Sequence, residues 1–245
     1  MAEFVIRVGG RSAQGRRPNN EDRFVADPDR HVFLVADGMG GQEGGEQASG
    51  LAADIIPRVL SDRLAALDDA PNAVQKALAE ANQAIIDAGQ RQSGNRKMGT
   101  TAVLAVQLDD RFYVAGLGDS RAYLVRADRV EQLTVDHTVA DALARNGTLT
   151  PDQAKNSPWR NVLYKFLGCA EMAEGAEVRP FTPRAGDRLV LGSDGLTNFL
   201  TDDDLIRSGG HQANPQEWAD QLVEAALGRG SKDNVTCVVV AFDRE

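Results

Sequence analysis

The chain reads as an α+β protein built in layers. Three features predict that class. Short, strongly apolar runs (VFLVA, VLAVQL, LVLG, VTCVVVAF) have the length and composition of strands. Two Ala/Leu/Ile-rich stretches, 46–67 and 73–91, carry helical spacing and follow one another directly. Strands come in groups and helices come in groups, which argues against a doubly wound parallel sheet.

Taken in order, Phe4 to Val8 alternates as a strand, and a basic loop follows from Gly10 to Asn20. Phe24–Ala26 and Val32–Ala36 are close enough to pair as an antiparallel hairpin. Helix 46–67 contains Pro57, which argues for a kink or interruption, and Asp69 to Asn72 reads as a break before the next helix. Residues 93–97 read as a polar loop. The runs 101–108, 112–117 and 122–125, separated by Asp109-Asp110 and Gly118-Asp119-Ser120, read as a three-strand meander. Thr134–Arg145 looks helical and ends at Asn146-Gly147. Short helical pieces are expected at 151–155 and 161–167. A strand at 188–192, helices at 202–206 and 215–227, and a final strand at 235–242 complete the chain.

Composition narrows the function. Of 245 residues, 42% are hydrophobic and 26% charged, which is globular rather than disordered. Net charge is −9, the wrong sign for a nucleic-acid binder. No apolar run approaches the ~18 residues a spanning helix needs, and the N-terminus lacks the apolar core of a signal peptide. Cys169 and Cys237 are far apart and make no zinc spacing. With no linker and no repeat, the expectation is one cytoplasmic domain over residues 1–245, without membrane insertion.

The chemistry lies at the strand ends. Asp37 follows VFLVA, Asp119 follows VAGLG, Asp194 follows LVLGS, and Asp233 precedes VTCVVV. Any one of these is an ordinary turn acid. Four of them, each beside Gly, Ser or Asn, are expected to converge on one edge. Clustered carboxylates repel and raise one another's pKa. A hard divalent cation relieves that, and oxygen donors favour Mg²⁺ or Mn²⁺. One Asp bridging two ions ~3.5–4 Å apart is the arrangement of two-metal hydrolysis. Glu21 and Asp22 stand before a strand, placed to orient water from outside the ligand set. Arg17 in the basic loop can hold a phosphate bidentately; read alone, it is one of several exposed arginines.

The motifs RPNNED, ADGMGG, GTT, GDSRAY, TVDHT, NVLYKFLG, GSDGL and SKDNVT stand in an order that resembles the protein phosphatase 2C family of metal-dependent serine/threonine phosphatases. The resemblance runs from about Arg7 to Phe242. It implies a four-layer αββα sandwich, two antiparallel sheets flanked by helix pairs. It implies two Mn²⁺ or Mg²⁺ ions, with a hydroxide between them attacking the phosphomonoester in line. On this sequence Asp37 matches the bridging ligand and Gly38 gives a carbonyl to one ion. Asp194 and Asp233 complete the second, and Asp119 serves a third, weaker ion shared with Asp194. Arg17 matches the phosphate-binding arginine, Glu21 and Asp22 the acidic pair that holds water, and 134–168 the flap that meets substrate. Phosphoserine and phosphothreonine proteins, with a cognate kinase among the partners, are the implied substrates of a monomeric enzyme.

Two positions depart from the family. Met39 stands where many eukaryotic members carry His, and Met cannot donate a proton. Water on the third ion is therefore expected to protonate the leaving oxygen, with His137 a weaker candidate. Lys165-Phe166 replaces the commoner Arg-Ala, and WRNVLYKFLG resembles the subgroup associated with type VI secretion. The rival reading is a catalytically weak phosphoprotein-binding regulator of the same fold. Cysteine-phosphatase chemistry does not fit, since neither cysteine has Arg six positions on.

Overall fold

The structure, a computed structural model, describes residues 4–41, 44–91, 98–169, 175–208 and 214–244. The expected 93–97 loop lies outside these residues. The elements, in chain order, begin with β1 (Val5–Ala13), β2 (Asp22–Asp27) and β3 (Val32–Met39), then the long helices α1 (Gly44–Ala65) and α2 (Ala70–Arg91). Five strands follow: β4 (Gly99–Thr100), β5 (Ala102–Leu108), β6 (Arg111–Leu117), β7 (Arg121–Arg126) and β8 (Arg129–Gln132). Short helices α3 (Val139–Arg145) and α4 (Pro151–Lys155) lead to β9 (Val178–Phe181) and β10 (Arg188–Gly192). The chain closes with α5 (Asp194–Thr197), α6 (Asp202–Ser208), α7 (Pro215–Gly228) and β11 (Val235–Asp243).

Two antiparallel sheets result. One runs β1-β11-β10-β7-β8; the other runs β2-β3-β5-β6-β9, with β4 pairing to β3. Alternation along the central strands explains the layers. In β3, Val32, Leu34 and Ala36 face the α1–α2 pair, while Phe33 and Val35 face the opposite sheet. In β11, Val235, Cys237 and Val239 meet α7, while Val238, Val240 and Phe242 point between the sheets. Both faces of these strands are covered, so they read as continuous apolar runs rather than alternating ones. Each fully buried Val, Leu or Phe is worth roughly 1.5–3 kcal/mol. Between the sheets, Phe112 meets Phe242 edge-on at 5.0 Å. The αββα sandwich is therefore observed, with α1–α2 on one side and α5–α7 on the other.

The structure corrects several local expectations. The 101–125 meander holds only for the β5–β6 hairpin. At Gly118-Asp119-Ser120 the chain leaves one sheet, and β7 pairs with β10 in the other. Gly118 makes this possible with φ +97° and Thr101 packed where a Cβ would be. Helix α1 runs through Pro57 without a break. Pro71 lies in the first turn of α2, where a missing N–H costs nothing, so the expected break starts the helix. The helical piece at 161–167 is absent: Leu163 bridges to Thr138 and Leu167 to Thr100 as isolated strand contacts. Helix α3 starts only at Val139, capped by Thr138. Strands β8 and β9 were not expected.

Candidate metal centre

One end of the sandwich gathers the acids. Asp37 lies near the end of β3, and Asp22, its register partner, opens β2. Asp194 opens α5 directly after β10, Asp119 lies in the turn between the sheets, and Asp233 lies two residues before β11. The two sheets thus each deliver carboxylates to a shared edge.

Their electrostatics are those of crowding. Burial, with Asp22, Asp194, Asp119 and Asp233 nearby, lifts the Asp37 carboxyl well above the ordinary range. Burial, with Asp194 and Asp136 adding to it, pushes Asp119 up to about 7. Asp22 rises to about 6 through burial, even though its Oδ2 accepts hydrogen bonds from Thr236 (2.6 Å) and Ser193 (2.9 Å). Asp194 rises through burial and Asp233, and it shares a hydrogen bond with Asp37. Two carboxyls can make such a bond only by holding a proton between them.

The flanking residues fix the loop that carries Arg17. Asn234 donates to the carbonyls of Gln14 (2.9 Å) and Asn19 (2.8 Å), and its Oδ1 accepts the Glu21 N–H (2.9 Å). Gly15 adopts φ +62° against the Asp233 carbonyl. The Arg17 guanidinium, more than half exposed, pairs with Asp233 at 2.5 Å. Glu21 is raised mainly by burial. Its carboxylate sits against Gly45 at the start of α1, where a Cβ would lie 1.9 Å from Oε2. The positive end of that helix suits an acid there. Gly38 in turn has the Gly45 carbonyl where its own Cβ would be, so both glycines are required for this approach.

On the far side of Asp119, Ser120 and Thr101 share a hydroxyl bond of 2.7 Å, and Thr101 also accepts the Asp37 N–H (3.0 Å). Arg121 clasps Asp136 with both Nε and Nη2. His137 is buried. Its Nδ1 accepts the Gly118 N–H, so the proton of the neutral ring is on Nε2, and the His137 backbone N–H donates to the Gly118 carbonyl. Burial, with Lys165 and Arg145 nearby, lowers it to about 4. Met39 pairs with Gly99. Asn234 and Ser193 read from sequence only as turn neighbours of the acids, Thr236 only as part of the last strand, and Gly45 was not singled out at all. Their place inside GSDGL and SKDNVT was the available signal for the first three.

The donor set fits hard divalent cations. Every donor is oxygen, and Asp22 Oδ1 is buried with no hydrogen-bond partner. Among the described residues no three His, Cys, Asp or Glu side chains already close on one point. Asp37 is held by Asp194 and Asp233 by Arg17, and an ion would take the place of the shared proton and of the guanidinium.

The chain and its fold find their match among known proteins. The model of protein phosphatase 2C matches residues 9–228. This chain belongs to the protein phosphatase 2C family. It is 32% identical over 237 residues to the serine/threonine phosphatase stp of Listeria innocua, covering 94% of this chain and 93% of that one. The catalytic domain of the serine/threonine protein phosphatase PstP, solved in complex with two manganese ions, superposes with a TM-score of 0.83 at 31% identity, covering 98% of this chain and 99% of that one. PppA, described as a key regulatory component of type VI secretion in Pseudomonas aeruginosa, gives 0.83 at 27%, covering 97% and 98%. Two Mn²⁺ or Mg²⁺ ions are the cofactors of this family's fold, and the αββα architecture is shared throughout.

Proposed function

We propose the following reading of the site. The chain is a metal-dependent serine/threonine protein phosphatase. The observation that carries it is the gathering of Asp22 and Asp37, paired in register on β2 and β3, with Asp119, Asp194, Asp233 and Arg17 at one sheet edge, where burial and crowding raise the first four carboxyls. Asp37, the Gly38 carbonyl, Asp194 and Asp233 would hold two ions, and Asp119 with Asp194 a third. When bound, the ions supply Lewis acidity and an activated water for in-line displacement at phosphorus.

The chain's own groups do the rest. The planar fork of Arg17, which holds a carboxylate in the structure, matches two phosphoryl oxygens equally well, so Arg17 exchanges Asp233 for substrate. Asp22 keeps Oδ2 on Ser193 and Thr236 and leaves Oδ1 to accept a hydrogen bond from water. Glu21 shares that task. Met39 has no proton to give, and His137 is neutral at pH 7 with Nδ1 occupied, so water beside Asp119 protonates the leaving oxygen.

Residues 1–245 act as one domain, a monomer whose flap, 134–168, meets the phosphoprotein. Trp159, Val162 and Tyr164 are exposed there. The free cysteines and the lack of any described helix able to cross a membrane support a cytoplasmic setting. A cognate serine/threonine kinase and its substrates are the partners we assign. The likeness to PppA is no stronger than that to PstP, so it does not select a secretion role.

Hydrolysis of p-nitrophenyl phosphate and of a phosphothreonine peptide, with Mn²⁺, Mg²⁺ or EDTA, tests the reading. Turnover requires metal, and Asp37→Asn lowers it by roughly 10³-fold or more. A folded, metal-binding wild type without turnover would favour the phosphoprotein-binding regulator instead.

A further inference from the structure

A second charged site lies at the other end of the five-stranded sheet. Strand β10 runs from Arg188 toward Asp194, β11 runs away from Asp233 to Asp243, and β7 runs from Arg121 to Arg126. Nine residues of β11 at ~3.4 Å each put about 30 Å between the two ends. A cavity of about 730 Å³ opens here, lined by Arg7, Arg126, Arg184, Arg244, Asp187 and Asp243.

Both acids are fully engaged. Asp187, buried, accepts Arg126 Nε (2.8 Å) and Nη2 (2.5 Å) and the Arg184 backbone N–H (2.8 Å). Asp243 accepts Arg7 Nε (2.6 Å) and the buried Arg188 Nη2 (2.7 Å). Breaking either pair would strand a charge in a poorly solvated place, so the pairs hold the wall in shape. Positive charge remains in excess. Arg184 and Arg244 are exposed and line the cavity. Neither meets a carboxylate at ion-pair distance among the described residues. Four lining arginines stand against two lining aspartates, on a chain whose net charge is −9.

Such a local reversal of charge favours anions. Arg184 and Arg244 offer guanidinium forks outside any carboxylate pair among the described residues, and such forks match phosphoryl oxygens bidentately. The volume is that of a small-molecule site, roughly 300–1,000 Å³, and exceeds what a lone phosphate fills. We propose that this pocket binds a small molecule carrying two or more phosphoryl groups, of the nucleoside diphosphate or triphosphate class, apart from the catalytic centre. The proposal does not depend on the phosphatase reading.

Titration of the Mg²⁺-loaded full chain with ADP, followed by amide ¹H–¹⁵N spectra, tests it. Saturable shifts are expected at Ala127, Ala185 and Gly186, with Kd of about 1 mM or tighter. They persist in Arg17→Ala and weaken about tenfold or more in Arg184→Glu/Arg244→Glu. Both of those side chains are exposed and outside any ion pair, so the double variant melts within about 2 °C of wild type. Shifts confined to Gly38 and Gly195, shifts lost in Arg17→Ala, or equally tight binding of adenosine would each overturn the proposal.

Discussion

Asn234 carries more of the site than its neighbour Asp233 can account for. Its side chain makes three hydrogen bonds to the 14–21 loop, and that loop has Arg17 at its middle. Asn234→Ala would leave two carbonyls and one N–H unpaired in a nearly buried place. We expect a stability loss of about 2–4 kcal/mol in urea unfolding. We also expect KM for a phosphopeptide to rise more than kcat falls if Arg17 has the substrate-binding role proposed for it; an unchanged KM would remove that role. His137 is the contrasting case. Gln at 137 can still accept from Gly118, so kcat should stay within about threefold, whereas a loss of 10² or more would restore His137 as a proton donor. The acids themselves were legible because each ends or precedes an apolar strand. The groups that hold them were not, because Asn234 and Thr236 find their partners more than 200 residues away and no local pattern marks them.

At the scale of elements, strong periodicity was readable and edges were not. Strands β3, β5, β10 and β11, with α2 and α7, have apolar faces covered by the layers and therefore show in the sequence. Strand β8 is short, exposed and polar, and β9 is four residues with a Pro inside, so neither separates from loop by composition. The 161–167 stretch has helical spacing, but tertiary bridges to Thr138 and Thr100 pull it extended. Tyr164 lies within that stretch, and Trp159 in the turn just before it. Trp159 is 51% exposed and Tyr164 44%, with Arg145 bonded to the Tyr164 hydroxyl at 2.7 Å. Neither ring supports the core, so Trp159→Ala/Tyr164→Ala should fold normally. KM for a phosphothreonine peptide should rise about threefold to tenfold while p-nitrophenyl phosphate, too small to reach the flap, is turned over as before. Equal effects on both substrates would place the flap outside substrate recognition.

For the molecule as a whole, packing the two sheets face to face forces the acids together, and the cost of that depends on pH. Without ions, folded Asp22 titrates near 6, Asp119 near 7 and Asp37 well above its ordinary value, against 3.8 when free of these surroundings. Between about pH 4 and 7 the folded chain holds protons that the unfolded chain has released. The native state binds more protons, so stability of the ion-free protein falls as pH rises through that window. Each pH unit of displacement per carboxyl corresponds to about 1.4 kcal/mol. His137, lowered to about 4 from 6.5, works the other way, losing stability as pH falls, but it is one ring against several carboxyls. Divalent ions replace those protons and bind better as pH rises. Melting temperature in EDTA should therefore fall from about pH 5 to about pH 7.5, and the gain from Mn²⁺ should grow over the same range. Asp37→Asn separates function from stability within this scheme. Asn can keep a hydrogen bond to Asp194 without the proton that the carboxyl pair must retain, so the ion-free variant should melt higher than wild type at neutral pH, gain little from Mn²⁺, and be inactive. A variant that melts lower in EDTA would mean that the carboxyl cluster does not strain the fold, and the case for ions as its relief would fail with it.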